Sequence, residues 1–430
     1  MKKKILNNAK VSEFFSLVYG SDHRVVGEQI DRYGKLLIKF QECFGEVEDT
    51  VLYLFSTPGR TEISGNHTDH NHGRVLAAAV NLDAAAAAAK NPTNTIVIYS
   101  QGYDSAFEVN LDEAAPKKEE QGTTAALIRG IAVRFRELGY KTGGFNACIT
   151  CDVQLGSGLS SSAVIEVLIA DILNALYNEG KINEDTMAVI GQYAENNYFG
   201  KPCGLMDQLA CAKGGIVTID FKVPSNPVVK KVNFDFSRQD FSVLVVDTGG
   251  SHAGLTEDYA SIPREMKAVA GAIGKKVCRD IDYGDVIRNL KKLRAGVGDR
   301  AILRALHFLE ENHRVKLQVE ALENNDFDLF LKFVRESGNS SLRWLQNCYS
   351  VKNTAEQGIP LALMLTKNYI KKTGRGACRV HGGGFAGTIQ VFLPKPLLPD
   401  YIRLMEPVFG KGCVRVLSIR PTGARHAAAG

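Results

Sequence analysis

Several things are missing from this 430-residue chain, beginning with any run of the roughly 18 apolar residues that a membrane-spanning helix needs. Three lysines follow Met1, but Ile5-Leu-Asn-Asn-Ala-Lys10 offers no apolar core of the kind a secretory signal carries. The expected location is therefore cytoplasmic, with no membrane partner. Nine cysteines scattered from Cys43 to Cys413, an odd number, are too few and too dispersed for a disulfide framework, so reduced thiols are expected. Cys148 and Cys151 form a CxxC, but they lie in the alternating run 145–153 and no second CxxC partners them. Strand thiols are the better reading than zinc. A large charge imbalance is also lacking: 52 basic against 47 acidic residues leave +5. With no aromatic-basic cluster beside it, that excess argues against a nucleic-acid partner. No GxxxxGK[ST] occurs, which excludes a Walker-type phosphate loop.

What is present has the 45% apolar content of an ordinary globular protein, in a chain long enough for two cores. Residues 1–48 read as a helical N-terminal extension, with Phe14, Phe15, Leu17 and Val18, then Leu36, Leu37, Ile38 and Phe40, on apolar faces. Short strands are expected at 51–56, 75–82, 95–100 and 145–155. The alanine run 84–89 suggests close packing rather than low complexity. Ser160 to Ser162 open a long helix reaching Tyr177, and a second helix covers 185–198, ending near Gly200. Pro224 to Pro227 marks the boundary between a domain of residues 49–225 and one of residues 226–430. The latter opens on a buried strand at 241–247 and mixes helices (257–273, 301–323, 326–346) with strands (376–381, 387–393). Helices and strands mix without a βαβ rhythm, so the expected fold class is α+β in two domains.

Three stretches carry chemistry. In Leu155-Gly156-Ser157-Gly158-Leu159-Ser160-Ser161-Ser162 a strand ends, glycines allow a tight turn, and hydroxyls lead into a helix. The N–H groups of such a first turn and the positive end of the helix dipole receive an anion. The same residues also suit an ordinary serine-capped helix. Between Gly65 and Gly73 every residue is polar or glycine, including Asn66, His67, Thr68, Asp69, His70 and His72. That density of hydrogen-bonding groups suits a polyol, and without HExxH or cysteine pairs its histidines do not read as a metal site. In the third stretch, from Glu195 through Gly204 to Gln208, Asp207 is either a partly buried carboxylate or a helix cap. A GxGxxG at Gly382, Gly384 and Gly387 runs into a strand instead of a helix, which contradicts a dinucleotide site.

Taken in order, and with Gly376 to Gly387 as a fourth motif, these stretches resemble the galactokinase branch of the GHMP small-molecule kinases. The likeness spans about Phe40 to Phe392. It implies an N-terminal domain like the second domain of ribosomal protein S5 and a ferredoxin-like C-terminal domain, with the active site between them. It also implies transfer of a phosphoryl group from ATP to the anomeric hydroxyl of galactose. Gly156 to Ser162 would then cradle the ATP phosphates, with Ser162 and Glu195 holding Mg2+. Asp207 would act as base or orienter, and Arg60 would stabilise the transferring phosphoryl group. Asn66, His67, Thr68, Asp69, Gly204 and Tyr259 would surround the sugar. The branch normally carries glutamate where Asn66 stands, which accepts from the C6 hydroxyl, and tends to carry asparagine at Glu62, so with Asn66 facing C6 this chain is expected to discriminate less there. Galacturonate, L-arabinose and N-acetylgalactosamine are the alternative substrates, and a non-catalytic sugar sensor is the alternative class.

Overall fold

The computed structural model describes residues 5–6, 8–45, 51–154, 158–250 and 254–429. In chain order the helices are α1 (Ala9–Tyr19), α2 (His23–Phe44), α3 (Thr124–Glu137), α4 (Ser161–Tyr177), α5 (Glu184–Ala194), α6 (Met206–Lys213) and α7 (Thr256–Ala272). They continue with α8 (Tyr283–Arg288), α9 (Leu290–Gly296), α10 (Asp299–Glu323), α11 (Phe327–Ser340), α12 (Gly358–Thr373) and α13 (Leu398–Phe409). The strands are β1 (Tyr53–Ser64), β2 (Arg74–Lys90), β3 (Thr95–Ser100), β4 (Phe107–Asn110), β5 (Phe145–Cys151), β6 (Ile216–Asp220), β7 (Val228–Lys231), β8 (Phe241–Asp247), β9 (Ala377–Val380), β10 (Thr388–Pro394), β11 (Val414–Leu417) and β12 (Arg425–Ala428).

The strands form two sheets, giving an α+β fold. The first runs β12-β1-β2-β5-β3-β4, with β6 on the free stretch of β2 and β7 beside β6. The second is an antiparallel sheet in the order β11-β8-β10-β9. The long strand β2 explains the alanine run. Ala84, Ala86 and Ala88 enter a core with α3 and α4, while Ala85, Ala87 and Ala89 pack beneath α1 and α2 on the opposite face. A strand buried on both faces places every side chain against a layer, and small ones let both layers approach. The first core is also continuous with the second sheet, through Val243, Val245, Phe330 and Phe392.

Several expected elements differ in length, among them the strand expected at 75–82, which runs Arg74–Lys90, and two bear on the site. The strand beginning near residue 51 continues to Ser64, with Thr57, Arg60, Thr61, Glu62 and Ser64 all buried. The helix expected over 185–198 gives way at Glu195 to a π turn, Glu195–Phe199, that closes on Gly200 at φ 86°. A π turn rotates the following side chains relative to an α-helix, and here it presents Glu195.

Candidate active site

The site forms where the polar end of β1 meets the N-termini of α4 and α6. Arg60 projects from β1 after a register shift between Pro58 and Arg60. Its guanidinium grips Asp207, in the first turn of α6, with two parallel bonds: Nε to Oδ1 at 2.7 Å and Nη2 to Oδ2 at 2.6 Å. Nη1 donates to the Gly158 carbonyl at 2.5 Å, and the Arg60 backbone N–H donates to the Leu159 carbonyl at 3.2 Å. Ser160 donates its hydroxyl to Asp207 Oδ2. Burial alone would raise the Asp207 carboxyl, but the Arg60 charge and the bonds from Arg60 and Ser160 hold it below its ordinary value. About 29% of that side chain stays exposed, so the group is an anion open to the cleft.

Gly158 at φ 73° and Ser160 at φ 62° turn the chain into α4, whose first residue is Ser161. Because the Ser160 hydroxyl serves Asp207, no side chain among the described residues caps the first-turn N–H groups of α4. Leu155, Gly156 and Ser157 lie outside the described residues. Within the first turn of α4, Ser162 donates to Glu195 Oε1 at 3.0 Å. Lys201 reaches the same oxygen at 3.3 Å, and Gln208 Nε2 donates to Glu195 Oε2 at 3.1 Å and to Glu166 Oε2 at 2.9 Å. A hydroxyl and a carboxylate oxygen at this spacing fit a hard cation such as Mg2+, which takes few protein ligands when phosphates supply the rest. Burial first, and then the Glu195 charge, push the Glu166 carboxyl well above its ordinary value. Neither Glu166 nor the Gln208 bridge has a part in the sequence reading. A glutamate inside an apolar helix run, 163–177, is the signal that marks Glu166.

The structure splits the expected sugar residues into two sets. Asp69 and Gly204 meet: a Cβ on Gly204 would lie 2.4 Å from Asp69 Oδ2, so a larger residue there would displace the carboxylate. Thr68 spends its hydroxyl on the Gly65 and Arg74 carbonyls, at 2.9 and 2.6 Å, and shapes the loop from within. Asn66 does not face the cleft as expected. It is fully buried, with Nδ2 donating to Glu62 Oε1 at 3.1 Å and to the Gly382 carbonyl at 2.7 Å. Its Oδ1 accepts from Asn347 at 2.7 Å and from Ser341 at 3.3 Å. An amide with two donors and two acceptor positions is thereby saturated by partners within the protein. Glu62, in turn, pairs with the fully buried Arg379 at 3.0 Å. His67 Nε2 lies 2.8 Å from the Gly383 carbonyl, and Tyr259 donates to the Gly384 carbonyl at 2.8 Å. Burial pushes the Tyr259 phenol up to about 12.

Helix α10 anchors the loop that carries these residues. Glu311 Oε1 accepts from Ser64 Oγ (2.9 Å), the Gly65 N–H (3.1 Å) and Ser337 Oγ (2.6 Å), and Arg314 neutralises its charge. The Asn66 carbonyl lies 3.1 Å from His307 Nε2.

Comparison with known proteins follows the same outline. Residues 126–215 match the family described as GHMP kinases N terminal domain, and residues 38–90 match the galactokinase galactose-binding signature. A galactokinase of Haemophilus influenzae is 32% identical over 345 residues, covering 78% of this chain and 84% of that protein. One from Streptomyces coelicolor is 29% identical over 398 residues, covering 90% and 97%. Among solved structures, Lactococcus lactis galactokinase complexed with galactose superposes with a TM-score of 0.76 at 21% identity, over 90% of this chain and 98% of that one. Methanococcus jannaschii mevalonate kinase, at 15% identity and a TM-score of 0.59 over 86% and 98%, shares the fold.

Proposed function

The chain belongs to the galactokinase branch of the GHMP kinase family, and on that premise we propose that it transfers the terminal phosphoryl group of ATP to the anomeric hydroxyl of galactose, giving galactose 1-phosphate. The observation that carries the reading is the bidentate Arg60–Asp207 pair at the N-terminus of α4, where Ser160 makes no side-chain cap. Phosphoryl transfer passes through a loose transition state, so catalysis is mainly positioning and neutralisation of spreading charge. Asp207, kept ionised by Arg60, is a weak base that orients the hydroxyl and takes its proton late. Arg60 would also offset charge on the phosphoryl group in transit. The segment 156–162 and the first turn of α4 receive the phosphates. Ser162 and Glu195 would hold Mg2+, which supplies charge neutralisation at the phosphates when bound. Asp69 and the backbone at Gly204 contact the sugar, while Asn66, His67 and Tyr259 act through the loop 382–384. All nine cysteines are free thiols, which suits a cytoplasmic enzyme.

Phosphorus NMR of the product formed from ATP, Mg2+ and galactose tests the proposal. A signal coupled to the anomeric proton is expected. Phosphate on the primary hydroxyl, or no turnover of galactose, overturns it.

A further inference from the structure

The turn between β9 and β10 is rich in left-handed backbone: Gly382, Gly384, Phe385 and Gly387 have φ of 65°, 82°, 59° and 91°. This backbone makes no regular ladder, yet three consecutive carbonyls in it are each met by a side chain from elsewhere. Asn66 donates to that of Gly382 at 2.7 Å, Asn347 to that of Gly383 at 3.0 Å, and Tyr259 to that of Gly384 at 2.8 Å. The two ends of the turn reach the phosphate loop. A Cβ on Gly158 would lie 2.8 Å from Thr388 Oγ1 and 2.9 Å from His381 Nδ1. The turn therefore lies between the phosphate loop and the loop carrying Asn66 and Asp69.

Asn347, which no sequence motif marks, joins these parts. Its Nδ2 gives one hydrogen to Gly383 and the other to Asn66 Oδ1, at 2.7 Å. Its own carbonyl accepts the Phe385 N–H at 2.5 Å and leaves room at position 384 for glycine only, since a Cβ there would lie 2.1 Å away. Asn347 is fully buried, and its Oδ1 has no partner among the described residues. A buried acceptor left unmatched works against stability. The residue is thus better explained by what its amide donates than by what it adds to the fold.

We propose that Asn347 is a positioning residue for the sugar, whose amide bridges Asn66 and the Gly383 carbonyl and so fixes the glycine turn against the sugar-binding loop. This rests on the galactokinase reading above and adds a residue to it.

Asn347→Ala removes both donors, and Asn347→Asp keeps the shape but turns acceptors toward two acceptors. In both variants the KM for galactose is expected to rise about tenfold, the scale of losing hydrogen bonds that order a site. The KM for ATP and kcat should change less than about twofold. Trp344, the one tryptophan of the chain and 39% exposed, stands three residues before Asn347. Galactose titrations followed by its fluorescence give the same comparison without turnover. A galactose KM within twofold of wild type, or equal rises in both KM values, overturns the positioning role. Failure of the wild type itself to phosphorylate galactose overturns the underlying reading instead. Should neither variant fold, Asn347→Ser, with one donor restored, carries the test: an intermediate, sugar-only rise supports the role, and no rise overturns it.

Discussion

At the scale of single residues, Asp207 carries the chemistry most directly. Asp207→Asn keeps the volume of the side chain but removes both the negative charge and the proton acceptor. It also breaks one of two matched bonds with Arg60, because an amide nitrogen faces a guanidinium donor. A general base and orienting group contributes roughly 10²- to 10⁴-fold. Steady-state kinetics on the variant should show kcat lower by about that factor, with the KM for ATP little changed. A near-normal kcat would make Asp207 a helix cap, the other reading its sequence context allows. Arg60, Ser162, Glu195 and Asp207 were legible as candidates chiefly through the resemblance of their motifs to those of the GHMP kinases, with the glycine turn and helix start beside Ser162 as local support. Asn66 was legible only as polar. Composition shows that a loop is dense in donors and acceptors, but not whether they serve a ligand or the loop's own backbone. The residue that saturates Asn66, Asn347, is 281 positions away in the chain, and no local pattern announces it.

At the scale of elements, the hidden feature was length. Strand β1 was legible over its apolar start and not over 57–64, where buried polar side chains break the apolar pattern. Most of those polar residues are tolerated because they find a partner in another element, as Arg60 does in Asp207 and Glu62 in Arg379, while the Thr57 hydroxyl has none among the described residues. The same logic holds α1 and α2 on the sheet. Asp83, in the middle of β2, is fully buried and meets Arg32 of α2 at 2.6 Å, Tyr19 of α1 at 2.7 Å and Arg420 at 3.3 Å. Burial would raise its carboxyl, but the two arginines hold it below the ordinary value. Removing one partner from a buried ion pair costs about 3–5 kcal/mol, since the other charge is left uncompensated. Asp83→Ala should therefore lose stability on that scale in urea unfolding. Arg32→Ala should lose less, because Arg420 still faces Asp83 and Arg32 itself is partly exposed. Equal losses, or a loss below about 1 kcal/mol for Asp83→Ala, would mean that the apolar contacts of α1 and α2 alone hold the layer.

At the scale of the whole molecule, contact between the two sheets depends on neutral histidines, and this sets a response to acid. His381, next to β9, lies 3.0 Å from Thr61 Oγ1 of β1 and 3.0 Å from Thr388 Oγ1 of β10. Burial first, then the charges of Arg60 and Arg379, lower its pKa to about 3. His307, between Ser340 and the Asn66 carbonyl, is lowered to about 4, chiefly by burial. An unfolded histidine takes its proton near pH 6.5, whereas these stay neutral in the folded chain. The contribution of each to stability is therefore complete above about pH 6.5. It falls as the pH drops below that value, by about 1.4 kcal/mol per pH unit per histidine, until the folded group is itself protonated. Glu62 and Glu166 run the other way over part of this window. Burial raises both, so they bind protons in the folded state that the unfolded chain has released. The histidine contribution must accordingly be isolated by substitution. His381→Asn removes the titrating ring and keeps a short polar side chain. Between about pH 6 and pH 4, the unfolding free energy of the wild type should decline more steeply with falling pH than that of the variant, by about 1.4 kcal/mol per pH unit. Urea unfolding across that range measures both slopes. Parallel slopes would show that His381 carries a proton in the folded protein, and that its contact between the sheets is made by the imidazolium.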